Sequence, residues 1–333
     1  MKKYILGVDI GGTKCAVILG DPDAQSIDTI IKDKIRFDTE SARGWRIVTA
    51  QLLDAIEQLL KDNNLCSDDI ICTGISCGGP LDSSKGVILS PPNLPDWDNV
   101  PIVQMIQERF GIKTYLQNDA NACAVAEWKF GAGRGLSSFA FLTFGTGLGA
   151  GLILDGRLYS GCCDMAGEVG HIRIAPDGPI GYGKRGSFEG YCSGGGIARL
   201  AQEMAKEALA DGQTTTLCKD ESMISQITAK STAEAAEKGD KLALDVYRIC
   251  GEKLGEGLAI LIDILNPQAI IIGSIFARSS NLLIEGMEKT LKAEALPQSR
   301  QSCKIIPAEL GEKIGDLAAL GIAINSIENG GAI

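Results

Sequence analysis

The sequence predicts an α/β protein of two lobes built alike. Short apolar runs bounded by turn residues read as strands. Longer stretches with apolar residues at helical spacing follow them along the chain. One pattern, strand–Gly/Thr turn–strand, occurs twice. Its first copy is Tyr4 to Asp9, the turn Ile10-Gly11-Gly12-Thr13-Lys14, and Cys15 to Leu19. Its second runs from Phe139 to Phe144 through Gly145-Thr146-Gly147-Leu148-Gly149-Ala150-Gly151 into another apolar run that ends at the turn pair Asp155-Gly156. The copies lie too far apart for a solenoid repeat. They suit two lobes, each presenting one hairpin to a shared cleft.

Glycine between two strands lets backbone N–H groups approach an anion, since no Cβ intervenes. A single glycine-rich hairpin with no ligand is an equally good reading of either copy alone. Two such hairpins favour nucleotide binding, which makes Gly11, Gly12, Thr13, Lys14, Gly145, Thr146 and Gly147 candidate phosphate-loop residues. Asp9 closes the first strand. It is a carboxylate placed for Mg²⁺ and a transferred phosphate, or a turn or cap aspartate.

Residues 21–40 read as further β structure. Between Ala42 and Lys61, Trp45, Val48, Leu52, Leu53, Ile56, Leu59 and Leu60 recur at helical spacing, and Asn63-Asn64 ends the helix. Ile70 to Ser76 is a buried strand entering Cys77-Gly78-Gly79-Pro80, a loop that needs unusual backbone angles. The segment Ser90-Pro91-Pro92-Asn93-Leu94-Pro95 is stiffened by its prolines, so Asn93 sits either on a rigid ligand-holding loop or on a plain connector. Lys113 to Gln117 is a strand followed by Asn118-Asp119-Ala120-Asn121 and an alanine-rich helix. Asp119 therefore stands at a strand-to-helix junction, where open α/β sheets bind ligands and where Asn and Asp also cap helices.

Residues 178–196 are glycine-rich and contain Glu189. Helices are expected at 196–210, 231–238, 240–265, 280–293 and 315–328, with a buried strand at 269–272. Gly273 follows that strand directly; it passes close to an adenine or ribose, or packs a helix tightly against the strand.

Composition is that of a soluble globular chain, 45% hydrophobic and 22% charged over 333 residues. A net charge of −10 gives no basic footprint for nucleic acid. No apolar run reaches the ~20 residues of a membrane helix, and Met1-Lys2-Lys3 leads into a strand, not a signal-peptide core. The 11 cysteines show no paired metal-ligand spacing, and adjacent Cys162 and Cys163 are poorly disposed for an ordinary disulfide. These features point to a reducing cytoplasm and to no nucleic-acid or membrane partner.

Taken together, Asp9-Ile10-Gly11-Gly12-Thr13-Lys14, Gly79-Pro80, Asn118-Asp119-Ala120-Asn121, Phe144-Gly145-Thr146-Gly147-Leu148-Gly149 and Ala166-Gly167-Glu168-Val169-Gly170-His171 resemble the ROK family, over about residues 4–330. That family contains bacterial sugar kinases, glucokinases among them, and sugar-responsive repressors. The resemblance implies the two-lobed actin/hexokinase-type (ribonuclease H-like) fold, a duplicated mixed sheet flanked by helices, with ATP and sugar between the lobes. The lobes are expected at 1–118, joined by the C-terminal helix 315–333, and at 119–314. Position by position, Asp119 matches the general base, Asn118 a sugar-hydroxyl partner, and Glu168, His171 and Glu189 sugar contacts. Gly79 and Asn93 join the expected sugar side, and a homodimer is implied.

One segment departs from the family pattern. Many members follow the histidine with Cys-x-Cys-Gly-x-x-Gly-Cys-x-Glu, which with that histidine binds a structural zinc. Here Ile180, Tyr182 and Ser187 stand where the thiolates should be, and His171 is the only histidine. A closed zinc site needs about four N, S or O ligands, so no zinc is expected.

The expected chemistry is ATP- and Mg²⁺-dependent phosphorylation of a hexose or N-acetylhexosamine hydroxyl, with Asp119 as base. The alternative is a non-catalytic sugar-sensing regulator. Family repressors carry an N-terminal helix-turn-helix domain, and the first hairpin here begins at Tyr4, which leaves no room for one. An ATPase activator or actin-like polymer is disfavoured by the sugar-type residues. Which sugar is used stays open, because pocket shape decides it.

Overall fold

The computed structural model describes residues 2–24 and 26–330. They form two compact units: one of residues up to 135 with 151–166 and 309 onward, the other of 136–150 with 167–308.

The first unit is built on a five-stranded sheet. Its elements in chain order are β1 (Tyr4–Ile10), β2 (Lys14–Gly20), β3 (Ile31–Asp38), α1 (Trp45–Asp62), β4 (Ile70–Cys77), α2 (Ile102–Phe110), β5 (Thr114–Asn118) and α3 (Asp119–Phe130). The strand order is β3-β2-β1-β4-β5. β1 pairs antiparallel with β2 and parallel with β4, and β4 is parallel to β5. The register aligns Ile10 with Cys77 and Cys77 with Asn118. The carboxyl ends of three parallel strands thus finish side by side, carrying Asp9, the Gly78-Gly79 loop and Asn118-Asp119 to one edge.

Helices cover both faces of this sheet. Val48, Leu52, Ile56 and Leu59 of α1 are fully buried beside Leu6, Val8, Val17 and Leu116. The C-terminal helix Ile314–Glu328 is apolar all round, with Leu317 to Ala323 buried without interruption. Such a helix needs neighbours on every side. One side lies on the sheet through glycines: a Cβ at Gly74 would stand 2.3 Å from the Ala319 carbonyl oxygen, and one at Gly20 2.6 Å from a Leu320 methyl. The other side meets α3, where a Cβ at Gly321 would touch Val125 and Ala126. Fully buried Glu127 of α3 ties the start of this segment in place, accepting the amides of Ala132, Glu309 and Leu310 at 2.8, 3.1 and 3.0 Å. A buried carboxylate costs little when its lone pairs are filled in this way. α3 carries Asp119, and it packs in the first unit, whereas the sequence reading places it in the second lobe.

The second unit contains β6 (Phe139–Leu142), α4 (Gly194–Ala210), α5 (Ala229–Glu237), α6 (Lys241–Leu265), β7 (Ala269–Ile272), α7 (Ile275–Glu294) and β8 (Lys304–Pro307). β6 and β8 flank β7 in parallel, with Leu142 opposite Ile272 and Ile272 opposite Pro307. β6 and β7 are short and continuously apolar, as buried parallel strands are, whereas β8 lies at the edge. α6 ends at Asn266, in the left-handed region at φ 43°, one residue before Pro267. α7 begins at Ile275, earlier than the expected 280. It is broken at Ser279 (φ −130°), so the predicted helix corresponds to the part after the break. The turn pair Asp155-Gly156 joins the antiparallel strands Ala150–Leu154 and Arg157–Tyr159, as expected. Among the described residues no helix is long and apolar enough to cross a membrane.

Candidate active site

On the first unit the predicted residues gather at the carboxyl edge of β1, β4 and β5. The β1–β2 turn is closed by the Gly11 amide on the Lys14 carbonyl (3.0 Å) and by the Thr39 hydroxyl on the Gly11 carbonyl (2.6 Å). Thr13 and Lys14 are exposed on it. Gly12 is required: a Cβ there would lie 2.6 Å from the Asn93 carbonyl oxygen. Asn93 itself is exposed on a loop pinned from below by fully buried Leu94 and Trp97. A Cβ at Gly78 would reach the Asn93 side chain at 3.1 Å, while Gly79 borders open space and precedes a cis Pro80. The phosphate-type turn, the Gly78-Gly79 loop and Asn93 therefore adjoin.

Asn118 is buried and caps α3, its Oδ1 accepting the Asn121 amide at 2.7 Å. Its Nδ2 donates to the Asp164 carbonyl at 3.4 Å. Asp119 is the first helical residue, with its carboxylate accepting the Ala120 amide at 2.8 Å. The side chain is open to solvent on this unit. Even so, the protein around it strips enough hydration to raise its carboxyl pKa, against the opposing pull of the Ala120 and Asp119 amides. Asp9 is raised to about 6, first by burial and then by the Asp316 and Asp119 carboxylates, with Lys34 and Arg36 acting in the opposite sense. Burial raises both carboxyls, and the Asp119 charge adds to the rise at Asp9, a condition typical of catalytic carboxylates.

On the second unit the residues from Thr143 to Gly149 form a closed loop at the end of β6. The Thr143 amide donates to the Gly149 carbonyl (2.9 Å), and the Gly149 amide to the Thr143 hydroxyl (2.9 Å). The Gly145 amide is turned inward to Thr143 and Gly147. Among the described residues no partner occupies the amides of Thr146 and Gly147. Glu189 approaches this loop, accepting the Leu148 amide at 3.1 Å, and a Cβ at Gly147 would stand 2.9 Å from its Oε2. Glu168 and His171 flank the short 3₁₀ turn Val169–His171, and both are exposed.

Beside the loop lies a cavity of about 620 Å³, lined by Gly145 and Thr146 and by the N-termini of three helices: Gly194 and Gly195 of α4, Thr228 and Ala229 of α5, and Ser274 and Ile275 of α7. Helix N-termini favour anions through their unsatisfied N–H groups and aligned dipoles. The Gly194 amide donates to the Gly145 carbonyl at 2.7 Å and locks the loop to α4. Lys230, Glu234, Glu237, Tyr247 and Arg278 also line it. None of these was singled out by sequence; each sits on an ordinary amphipathic helix, and only the fold gathers them. Gly273 does not line the cavity. Its Cβ position abuts the Phe141 ring at 3.2 Å, so it packs tightly, and Ser274 (φ 53°) is the lining residue.

The segment where family members carry zinc ligands has other supports. Ile180-Gly181 pairs with Lys184-Arg185 in a small hairpin. The buried Ser187 hydroxyl accepts the Gly190 amide at 3.1 Å, Lys184 donates to the His171 carbonyl at 2.7 Å, and the His171 ring meets Tyr182 edge-on at 6.4 Å. Isoleucine, tyrosine and serine do not make a thiolate donor set, so the residues present do not fit zinc.

The model of the ROK family matches residues 5–326. A glucokinase of Streptomyces coelicolor is 31% identical over 320 residues, covering 96% of each chain. The structure of a ROK family glucokinase from Streptomyces griseus in complex with glucose and AMPPNP superposes with a TM-score of 0.72 at 30% identity, covering 95% of this chain and 97% of that one. A ROK family transcriptional regulator, homologous to the E. coli MLC protein, superposes with a TM-score of 0.82 at 25% identity, covering 98% of this chain and 79% of its own.

Proposed function

The chain belongs to the ROK family and has the actin/hexokinase-type fold of its kinases, and from that premise we propose that it is an ATP-dependent sugar kinase with Asp119 as general base. The observation that carries the proposal is the shared edge of the first unit, where Asp9 and Asn118-Asp119 end neighbouring parallel strands.

A sugar hydroxyl is a weak nucleophile, and a positioned base is worth about 10²–10⁴ in rate. Asp119 accepts the hydroxyl proton as the oxygen attacks the terminal phosphorus. Its raised pKa brings it nearer neutrality, where a carboxylate is a better base. Asn118, Asn93 and Gly79 are the candidate sugar partners on the same unit, and Glu168 and His171 those on the other. The 620 Å³ cavity takes the nucleotide. The Thr146 and Gly147 amides and the helix N-termini there bind the phosphates. Asp9 offers a hard oxygen donor beside like charges, a donor set that fits Mg²⁺; the ion, when bound, would spread the charge of the transferring group.

A coupled ADP-release assay over a panel of hexoses and N-acetylhexosamines tests this reading. Sugar-dependent turnover on at least one is expected. Sugar binding without ADP release on any of them would favour the second reading, a sugar-sensing regulator, which the likeness to a ROK transcriptional regulator supports.

A further inference from the structure

A cavity of about 440 Å³ on the first unit is lined by the turn Asp82–Lys85 and by the loop Ser160–Asp164. Two adjacent cysteines, Cys162 and Cys163, face it; both thiols are free and exposed. The two thiols are adjacent in the chain and line the same cavity. Consecutive Cα atoms lie only about 3.8 Å apart. That is below the usual span of roughly 4.4–6.8 Å for a disulfide. A direct S–S bond therefore requires distortion, whereas a single soft atom bonded to both sulfurs does not, and thiolates select such soft centres.

The loop is also wired to the Asp119 edge. Ser160 Oγ accepts from Gln117 Nε2 at 3.1 Å, and the Asp164 carbonyl accepts from Asn118 Nδ2 at 3.4 Å. The Asp164 carboxylate in turn holds the Ser83 amide and hydroxyl at 2.7 and 2.8 Å. Asn118 caps the helix that begins at Asp119. Any group that reshapes residues 160–164 pulls on Asn118 directly.

We propose that Cys162 and Cys163 form a capture site for trivalent arsenicals, and that loading it loosens the Asn118 cap and so disables the Asp119 edge. The reaction is balanced without an oxidant: an organoarsenic oxide R–As=O and two thiols give R–As(S)₂ and one water, which carries the arsenic-bound oxygen and both thiol protons. The final clause, on disabling Asp119, rests on the kinase reading above; capture and cap-loosening do not.

The test treats the full chain with phenylarsine oxide. Intact mass should show one adduct with two thiols consumed, stable to a monothiol and removed by 2,3-dimercaptopropanol. Cys162→Ser and Cys163→Ser should each abolish it. An adduct that survives in either variant, or that a monothiol removes, overturns the capture site. Hydrogen exchange of the Asn121 amide, which donates to Asn118 Oδ1, should accelerate at least tenfold on loading; an unchanged rate overturns the coupling. Turnover should fall by tenfold or more and return with the dithiol, while Cys162→Ser keeps basal turnover and resists the reagent. If adduct and exchange behave as expected and no sugar supports turnover at all, the kinase reading has failed and the capture site stands.

Discussion

The Leu148 amide donates to the Glu189 carboxylate at 3.1 Å, so an acidic residue matched by family resemblance to a sugar contact braces the glycine loop of its own unit. Hydrogen bonds to charged groups contribute about 1.5–3 kcal/mol, against about 1 for neutral pairs. Glu189→Gln keeps the shape and removes the charge. The expected outcome is a KM for ATP raised roughly tenfold with the KM for sugar changed little, read by steady-state kinetics. The opposite split would assign Glu189 to the sugar.

Asp9 sets a dependence of stability on pH. Its folded pKa, raised to about 6 from 3.8, means that the native state holds the extra proton between those values. Stability from this group is therefore full near pH 4 and is lost as pH rises through 6. Asp9→Asn removes the penalty. The variant should be more stable than the parent at pH 7.5 by about 1–3 kcal/mol in urea unfolding, with the difference vanishing near pH 4, and it should lose turnover. A variant less stable at pH 7.5 would contradict the cause given for the shift.

Gly74 is the closest approach between sheet and C-terminal helix. A Cβ there would lie 2.3 Å from one backbone oxygen and 2.5 Å from a backbone nitrogen, neither of which can turn aside. Gly74→Ala should cost about 2–3 kcal/mol or more, seen as a fall in Tm. An unchanged Tm would mean that the helix can lift off the sheet at little cost.

Much of this was legible in the sequence, for local reasons. The turn Gly11–Lys14, the strand ending at Asn118, α1 with its apolar stripe, and the end of α6 before Pro267 all announce themselves through turn chemistry and periodicity. α2, between Pro101 and Gly111, is too short for its period to stand out, and edge strand β8 has only Ile305 and Ile306 to mark it. The lining of the cavity on the second unit was hidden for a different reason. Glu237 and Arg278 come from two helices, α5 and α7, with α6 between them in the chain, and nothing local distinguishes them from a solvated helix face. Gly273 illustrates the limit at a single residue: position suggested contact with a ligand, and the Phe141 ring occupies that space.

The central claim is that Asp119 removes the proton from the sugar hydroxyl. Asp119→Asn keeps the size and the cap geometry and abolishes the base. Measured side by side on the best sugar of the panel, turnover should fall by about 10²–10⁴ while the calorimetric Kd for that sugar changes less than a few-fold, and the acid limb of the parent's kcat/KM profile, lying above the ordinary carboxylate range, should disappear. Near-normal turnover with the same acid limb would contradict the account.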